Sequence, residues 1–356
     1  MTSIEKLMPA MKEALALAQR PLVAPLPNPR VGAVISWQGQ IVGCGWHEAP
    51  GLPHAEVMAI KDAESKGFRH WKEADLFVTL EPCCHLAKRT PPCAPLVAQY
   101  GFRQVIIAHR DPNPAVSGNG IQRLKEAGLS VIEGVLATES EDLNQVFIKN
   151  QKLRLPYITL KLALTYDGKM ADDRGRSRWI TSEETRRLVH VHRAQADAIG
   201  IGARTFDLDN PHLNVRLEQM PPLSRKVVIF GEPKRKWARS NASKSNGPDS
   251  VFKISNKKPL KPQLLRLYKN GLVSHLFIEG GPRLAQSLLE AKLVDQLILH
   301  YGLGLMPGKS RYQWMSALSK KSPARMTKIL PWVPEFVQKL GPDLEMKGRF
   351  HVYRTH

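Results

Sequence analysis

Short apolar runs and stretches of helical periodicity alternate along the whole chain. VGAVIS (31–36) and QIVGCGW (40–46) flank Gln38-Gly39 and predict a β-hairpin. HAEVMAIKDAESKG predicts a helix stopping at Gly67, followed by the strand DLFVTLE (75–81). A helix over 94–101, a strand over 104–109, a helix over 120–128, a strand over 130–136 and a helix over 139–153 complete the first part. At the N-terminus, Ile4, Leu7, Met8, Met11 and Leu15 share one face of an expected amphipathic helix. Alternation of this kind predicts an α/β layer structure with helices over a sheet.

Leu155-Pro156 interrupts the pattern and suggests a boundary, with one domain at 1–150 and a second at 151–356. The second opens with the strand YITLKLALT (157–165) and a helix capped by Ser182, with Thr185 at the capping spacing. Strands over 198–203, 226–231, 275–281 and 296–303 follow, with a helix over 283–293. ARSNASKSNGPDS (238–250) is poor in apolar residues and reads as a surface loop. The halves do not resemble each other.

Length and composition narrow the class. A chain of 356 residues suits two ordinary domains, and 42% hydrophobic with 24% charged residues is normal for a soluble globular protein. No apolar run reaches bilayer-spanning length, and the first twenty residues lack the parts of a signal peptide. Three of four cysteines fall within eleven residues, Cys83 to Cys93, which favours a metal over disulfides and a reducing compartment. The cytoplasm is expected. The net charge of +20 raises nucleic acid as a partner. Its basic residues are scattered and do not interleave with aromatics as a stacking platform would, which argues against that partner.

The chemistry concentrates in PHAEV (53–57) and TLEPCCHLAKRTPPC (79–93). His-Ala-Glu followed by Pro-Cys and a further Cys is the signature of zinc-dependent base deaminases. One imidazole and two thiolates suit Zn2+, leaving a fourth position for a water whose pKa falls to about 7. A carboxylate off the metal must carry protons from the water to the ring and the leaving amine. His54, Cys83 and Cys93 are the candidate ligands and Glu56 the candidate acid/base. Cys83 is preferred to Cys84 because it directly follows Pro82, and a helix N-terminus there would favour its thiolate. Cys44, in a predicted strand, reads as core.

With these motifs in view the sequence resembles the bifunctional deaminase/reductase family of riboflavin biosynthesis. The likeness rests on PNPRVGAVI (27–35), GWHEAPGLPHAEVMAI (45–60) and the cysteine segment in the first half. In the second it rests on LKLALTYDGKMA (160–171), SRWITSEETRR (177–187), RAQADAI (193–199), GARTFDLDNPHLNVR (202–216) and IEGGPRLAQSLLEAKLVDQL (278–297). It implies a cytidine-deaminase-like three-layer α/β/α domain joined to a dihydrofolate-reductase-like α/β domain. It also implies two steps: zinc-dependent deamination of a diaminopyrimidinone carrying a ribosylamino phosphate, then NADPH-dependent reduction of the ribosyl unit to ribityl.

Carried over position by position, Asn28 matches a base contact. Ala163, Trp179, Thr205 and Asp209 match cofactor contacts, and the turn Gly281, Pro282, Arg283, Leu284 matches a phosphate cradle at a helix N-terminus. Ser177, Arg193, Leu213, Arg216 and Glu279 match substrate contacts, and Lys161, on the same strand as Ala163, is placed with them. Lys161 or Asp209 could assist proton transfer. A homo-oligomer is expected.

The chain departs from the family in places. HLAKRT (85–90) lacks a Gly and carries one residue more, so that Cys84 rather than Cys83 would restore the family spacing to Cys93. VVIFGEP (227–233) replaces a segment that in the family usually carries an acidic residue and a small hydroxyl, and 305–335 is unlike the family. Two other readings stay open: a deaminase of nucleic-acid bases, and a deaminase with a non-catalytic C-terminal half.

Overall fold

The structure, a computed structural model, describes residues 4–84, 91–113, 116–177, 180–209, 211–234, 250–302, 304–308, 310, 312–314 and 332–350. It divides into two compact units, Met1–Arg154 and Leu155–His356.

The first unit holds β1 (Gly32–Trp37), β2 (Gln40–Trp46), β3 (Asp75–Leu80), β4 (Gln104–His109) and β5 (Ser130–Glu133) in one sheet of order β2-β1-β3-β4-β5. β1 is antiparallel to β2 and β3, while β3, β4 and β5 run parallel. Period-two alternation sends the strand residues to opposite faces. Ala33, Ile35, Leu76, Val78, Val105 and Ile107 form one core with α2 (Ala55–Ser65), α3 (Cys93–Tyr100) and α4 (Asn119–Glu126). Val34, Phe77, Ile106 and Ala108 form the other with α1 (Met8–Gln19). The result is a three-layer α/β/α unit.

α2 carries the first chemical motif, and the sequence lets it sit very close to the sheet. A Cβ on Gly43 would fall 2.4 Å from the Ala59 carbonyl, and one on Gly45 would fall 2.2 Å from that of Ala55. Two glycines on β2 therefore face an alanine stripe on α2, and this contact fixes the height of His54 and Glu56 over the sheet.

Three local expectations change. α1 starts at Met8, with Pro9 in its first turn, and Ile4 stands 56% exposed outside it. The strand expected to 136 stops at Glu133, because Gly134 and Leu136 both take positive φ. The helix expected over 139–153 is two, α5 (Ala137–Leu143) and α6 (Gln145–Leu153), broken at Asn144. The Asn144 side chain accepts from Arg30 N and donates to Arg30 O, both at 2.9 Å, which ties the break to the start of β1.

The second unit is built on an eight-stranded sheet. In chain order its elements are β6 (Tyr157–Thr165), α7 (Glu183–Ala194), β7 (Ala198–Gly202), α8 (Ala203–Asp209), β8 (Val215–Leu217), β9 (Met220–Leu223) and β10 (Lys226–Phe230). Then come β11 (Val251–Ile254), α9 (Leu260–Lys269), β12 (His275–Glu279), α10 (Pro282–Glu290), β13 (Gln296–Gly302), β14 (Trp332–Leu340) and β15 (Asp343–Phe350). The spatial order is β11-β10-β7-β12-β6-β13-β15-β14. Strands from β11 to β13 are parallel, and β15 and β14 add an antiparallel edge.

Leu160, Leu162, Leu164, Leu276 and Ile278 pack with α9 and α10 on one face, and Ile199, Ile201 and Phe206 fill a smaller core on the other. Ser182 caps α7 by accepting from Thr185 N at 3.3 Å, as its sequence position suggests. The expected loop over 238–250 lies, except for Ser250, outside the described residues, as does most of 305–335.

Candidate active sites

In the first unit, His54 occupies the N-cap of α2 and Cys93 opens α3. Cys83 lies in the extended segment just past β3, not at a helix N-terminus; the helix start belongs to Cys93. His54 Nδ1 stands 3.2 Å from Cys93 Sγ and 3.5 Å from Cys83 Sγ, and the Cys93 N–H points at Cys83 Sγ at 3.4 Å. All three donor atoms lie within 4.8 Å of one another. An imidazole and two thiolates at this spacing match a zinc ion's preference for nitrogen and sulfur. Cys84, the alternative, is buried in the apolar core over the sheet. Cys44 is half-buried on β2, against the opposite core.

Electrostatics divides the cysteines. Hydrogen bonding from Cys93 pulls the Cys83 thiol down to about 4, and Cys93 is pushed up in return. The pair is thus biased toward a thiolate at Cys83, and zinc binding would require both sulfurs deprotonated. Glu56 is 3% exposed, and burial, then the charge on Cys83, raise its carboxyl above the usual range. It shares a hydrogen bond with Cys93.

Two buried residues that sequence reading did not single out support this cluster. His47 has Nε2 3.0 Å from Asn28 Nδ2 and Nδ1 3.2 Å from the Pro53 carbonyl, and its ring meets His54 edge-on at 5.3 Å. It therefore links the Asn28 loop to His54. Glu81 accepts from the backbone N–H of Asp111, Gly118, Gly120 and Ile121 at 2.9–3.2 Å. That carboxylate fastens the start of α4 beside Pro82, where a Cβ on Gly120 would fall 2.1 Å from the Pro82 carbonyl. The signals were present, in WHEAP and TLEPCC, but a buried carboxylate serving backbone amides looks in sequence like any other Glu.

In the second unit a cavity of about 470 Å³ opens at the C-terminal ends of β7, β12 and β6. It gathers Lys161, Ala163, Ser177, Thr205, Asp209, Glu279 and the Gly281–Leu284 turn. Gly281 is the N-cap of α10, and a Cβ there would meet nothing within 4 Å, so the cradle faces open space. Trp179 lies outside the described residues. Arg193, Leu213 and Arg216 are not on the cavity wall. Arg193 Nε donates to Glu279 Oε1 at 2.6 Å and its Nη1 to the Asn214 carbonyl at 2.9 Å, so its fork is engaged behind the pocket. Leu213 is buried in the smaller core with φ 47°. The exposed Arg216 bonds Asn214 Oδ1 at 2.6 Å and lies beside His190.

Burial lowers the Lys161 ammonium, with Glu279 pulling the other way. Burial alone would raise Glu279, but Arg193 and Lys161 outweigh it and hold the carboxyl below its usual range. Burial, then Arg193 and Arg216, bring His190 down to about 4. The back of the pocket is thus a fixed ionic group with an amine biased toward giving up its proton.

A second cluster, His192, His300 and Glu345, also has three ligand-type atoms within 4.8 Å. Both imidazole Nε2 atoms meet Glu345 Oε2, at 2.9 and 2.7 Å. Among the described residues His300 Nδ1 is buried with no hydrogen-bond partner. A metal on Nε2 would force the proton onto that unpartnered nitrogen, where metal-binding histidines normally have an acceptor. The cluster is a buried hydrogen-bonded carboxylate, not a metal centre.

Comparison with known proteins agrees with both halves. Residues 4–109 match the cytidine and deoxycytidylate deaminase zinc-binding region, and residues 156–310 match the RibD C-terminal domain. The riboflavin biosynthesis protein RibD of Aquifex aeolicus is 40% identical over 313 residues, 81% of this chain and 85% of its own. The solved RibD of Acinetobacter baumannii (form 2) superposes with a TM-score of 0.85 at 30% identity, over 98% of this chain and 100% of its own. A solved diaminohydroxyphosphoribosylaminopyrimidine deaminase/5-amino-6-(5-phosphoribosylamino)uracil reductase from Thermotoga maritima gives 0.83 at 31%, over 98% and 100%. The chain therefore belongs to the RibD family of riboflavin biosynthesis proteins.

Proposed function

We propose that the chain carries out two consecutive steps of riboflavin biosynthesis. The first unit hydrolyses the 2-amino group of 2,5-diamino-6-(5-phospho-ribosylamino)pyrimidin-4-one. The second reduces the ribosyl side chain of the product to ribityl with NADPH. The observation that carries this is the convergence of His54, Cys83 and Cys93 within 4.8 Å beside buried Glu56, on a chain related to RibD proteins through both halves. Kinship through the second half sets aside the nucleic-acid and scaffold readings.

Zinc, when bound by His54, Cys83 and Cys93, supplies an activated water at neutral pH. Glu56 would pass one proton from the water to the ring nitrogen and then the remaining hydroxyl proton to the amine, which leaves as ammonia. The raised affinity of its buried carboxyl for protons suits a group that must hold one between transfers. Asn28, steadied by His47, orients the base. Glu81 keeps the Cys83 segment in place.

NADPH, when bound, supplies a hydride. The Gly281–Leu284 turn would hold one of the NADPH phosphates by backbone N–H groups at the start of α10, and Ala163, Thr205 and Asp209 would contact the rest of the cofactor. Ser177, Lys161 and Glu279 face the substrate, and Arg193 acts on it through Glu279. Arg216, exposed beside His190, offers positive charge to the substrate phosphate. Lys161, on the pocket wall and paired in register with Glu279, is the proton donor this arrangement favours. Trp179 joins the cofactor contacts in this proposal on sequence grounds alone. A domain division at 150/151, a cytoplasmic location and a homo-oligomeric assembly belong to the same reading. No helix among the described residues is long and apolar enough to cross a membrane.

The test is to incubate zinc-loaded protein with the diaminopyrimidinone ribosyl phosphate and follow product mass with and without NADPH. Amine-to-carbonyl exchange in both samples, and gain of two hydrogens only with NADPH, is the expected result. Absence of the first change overturns the proposal; absence of the second alone reduces the C-terminal unit to a scaffold.

A further inference from the structure

The pocket of the second unit crosses the ends of three neighbouring strands in the spatial order β7, β12, β6. Lys161 and Ala163 lie on β6, and Glu279 pairs with Lys161 in register at the end of β12. Gly280-Gly281 leads from β12 into α10, and Gly202 leads from β7 into α8, whose second residue is Arg204. Ligands of open α/β sheets lie across such strand ends. A nicotinamide dinucleotide is long, with the hydride-bearing ring at one end, the pyrophosphate in the middle and the adenosine ribose at the other. The hydride end belongs beside Lys161 and Glu279, where the substrate groups gather. The pyrophosphate belongs at the α10 cradle one strand over. The adenosine ribose then falls past β12, over β7 and α8, where Arg204 stands.

Arg204 is held ready for an anion. Its Nη2 donates to the Tyr312 hydroxyl at 3.0 Å, and its guanidinium lies 5.8 Å from the Tyr312 ring centroid. Tyr312 is fixed in turn: Met170 N donates to its carbonyl at 3.0 Å, and a Cβ on Gly175 would come 3.1 Å from its hydroxyl. The nearest acidic pocket residue along α8 is Asp209, five residues on. Five residues of helix rise set the two roughly 7 Å apart along the axis. An unphosphorylated ribose is usually met by a carboxylate and a 2′-phosphate by an Arg. The first turn of α8 presents the Arg.

We infer that Arg204, positioned by Tyr312, binds the adenosine 2′-phosphate and makes the reductase prefer NADPH to NADH. This rests on the reductase reading above. It also assigns a role to Tyr312, which comes from the segment 305–335 that matched nothing familiar in the sequence.

Two measurements test it on the full zinc-loaded chain. Calorimetry compares adenosine 2′,5′-bisphosphate with adenosine 5′-monophosphate. The wild type should bind the bisphosphate roughly 10- to 100-fold more tightly, the worth of a charge-assisted pair, and Arg204→Gln should abolish the difference. Kinetics with the deaminated intermediate should show Arg204→Gln losing a similar factor in kcat/KM for NADPH, through KM, with kcat/KM for NADH unchanged. Arg204→Lys should restore part of the preference, and Tyr312→Phe should lose about 3-fold. Equal losses with both cofactors, or no loss with either, overturn the inference, and retained NADH turnover shows that the variant is folded. A wild type that uses both cofactors equally also overturns it while leaving the reductase intact. A wild type that reduces with neither overturns the reductase reading itself.

Discussion

The two units of this chain solve the same problem, holding a small phosphorylated substrate against a reactive group, with different materials. On the proposed reading the first draws its chemistry from four side chains, His54, Glu56, Cys83 and Cys93, set at two helix starts and one strand end. The second spreads its chemistry over the ends of three strands and relies on backbone and on one buried ionic group, Lys161, Glu279 and Arg193. A metal demands particular donor atoms at fixed distances, so its site is compressed into short motifs. A long cofactor is met by glycines, helix starts and scattered contacts that many residues could supply. The contrast predicts that single substitutions in the first unit act as switches, and those in the second as graded losses.

Glu56→Gln sharpens the contrast most. Deamination should fall roughly 10²- to 10⁴-fold, the usual worth of a positioned acid/base, while reduction of supplied deaminated intermediate stays at the wild-type rate. A parallel fall in both rates would break the picture of separate machinery. The cysteine pair comes next. Cys83→Ser should bring zinc from about one per chain to a small fraction and take deamination with it, because three protein ligands are the minimum for such a site. Cys84→Ser, within the apolar core, should keep zinc and activity. The opposite pattern by metal analysis would make Cys84 the ligand.

That same contrast decides what could be read from sequence. The convergence of His54, Cys83 and Cys93 was legible because spacing and residue type point to it, although the helix start was assigned to Cys83 when it belongs to Cys93. The regular strands were legible because apolar runs alternate with helical periods. The break at Asn144 was not, because its cause is a side chain reaching the Arg30 backbone over a hundred residues away. α9 was missed although Leu260, Leu264 and Leu267 keep a helical spacing, since polar and basic residues surround them. Leu213 and Arg193 show the limit in the second unit. The family resemblance matches them to substrate contacts; packing sets Leu213 in a core and engages the fork of Arg193 on Glu279, neither of which sequence alone could show.

Glu279→Ala is the corresponding test there. It removes the carboxylate that offsets Arg193 and Lys161, leaving two cations at the back of the pocket. Breaking such a pair costs up to about 3 kcal/mol when burial is only partial, and Arg193 and Glu279 are 13% and 19% exposed. Urea unfolding should show the C-terminal transition moving to lower denaturant while the N-terminal one stays. Lys161 should titrate still lower, so reduction should fall and its pH optimum shift to more acidic values. A loss of activity with no change in stability would mean that Glu279 acts on substrate alone.

The smallest effect concerns acid. Burial lowers the pKa of His300 below its ordinary 6.5, and hydrogen bonds from His192 and His300 outweigh burial to hold Glu345 below the carboxylate range. Both folded values lie under the unfolded ones, so each group stabilises the fold at pH above its unfolded pKa. That stability is lost as pH falls through the gap. The histidine contribution should fade first, below about 6.5, and the carboxylate contribution only below about 4.5. The second unit should therefore lose stability progressively between these values. In Glu345→Gln the loss below 4.5 should disappear, while the mutant is weaker at neutral pH because a neutral amide oxygen accepts from the two imidazoles less strongly than a carboxylate does. Urea midpoints of the C-terminal transition at stepped pH check this. A midpoint that is flat from pH 7 to 4 in the wild type would show that the His192–Glu345–His300 cluster contributes nothing pH-dependent to the fold.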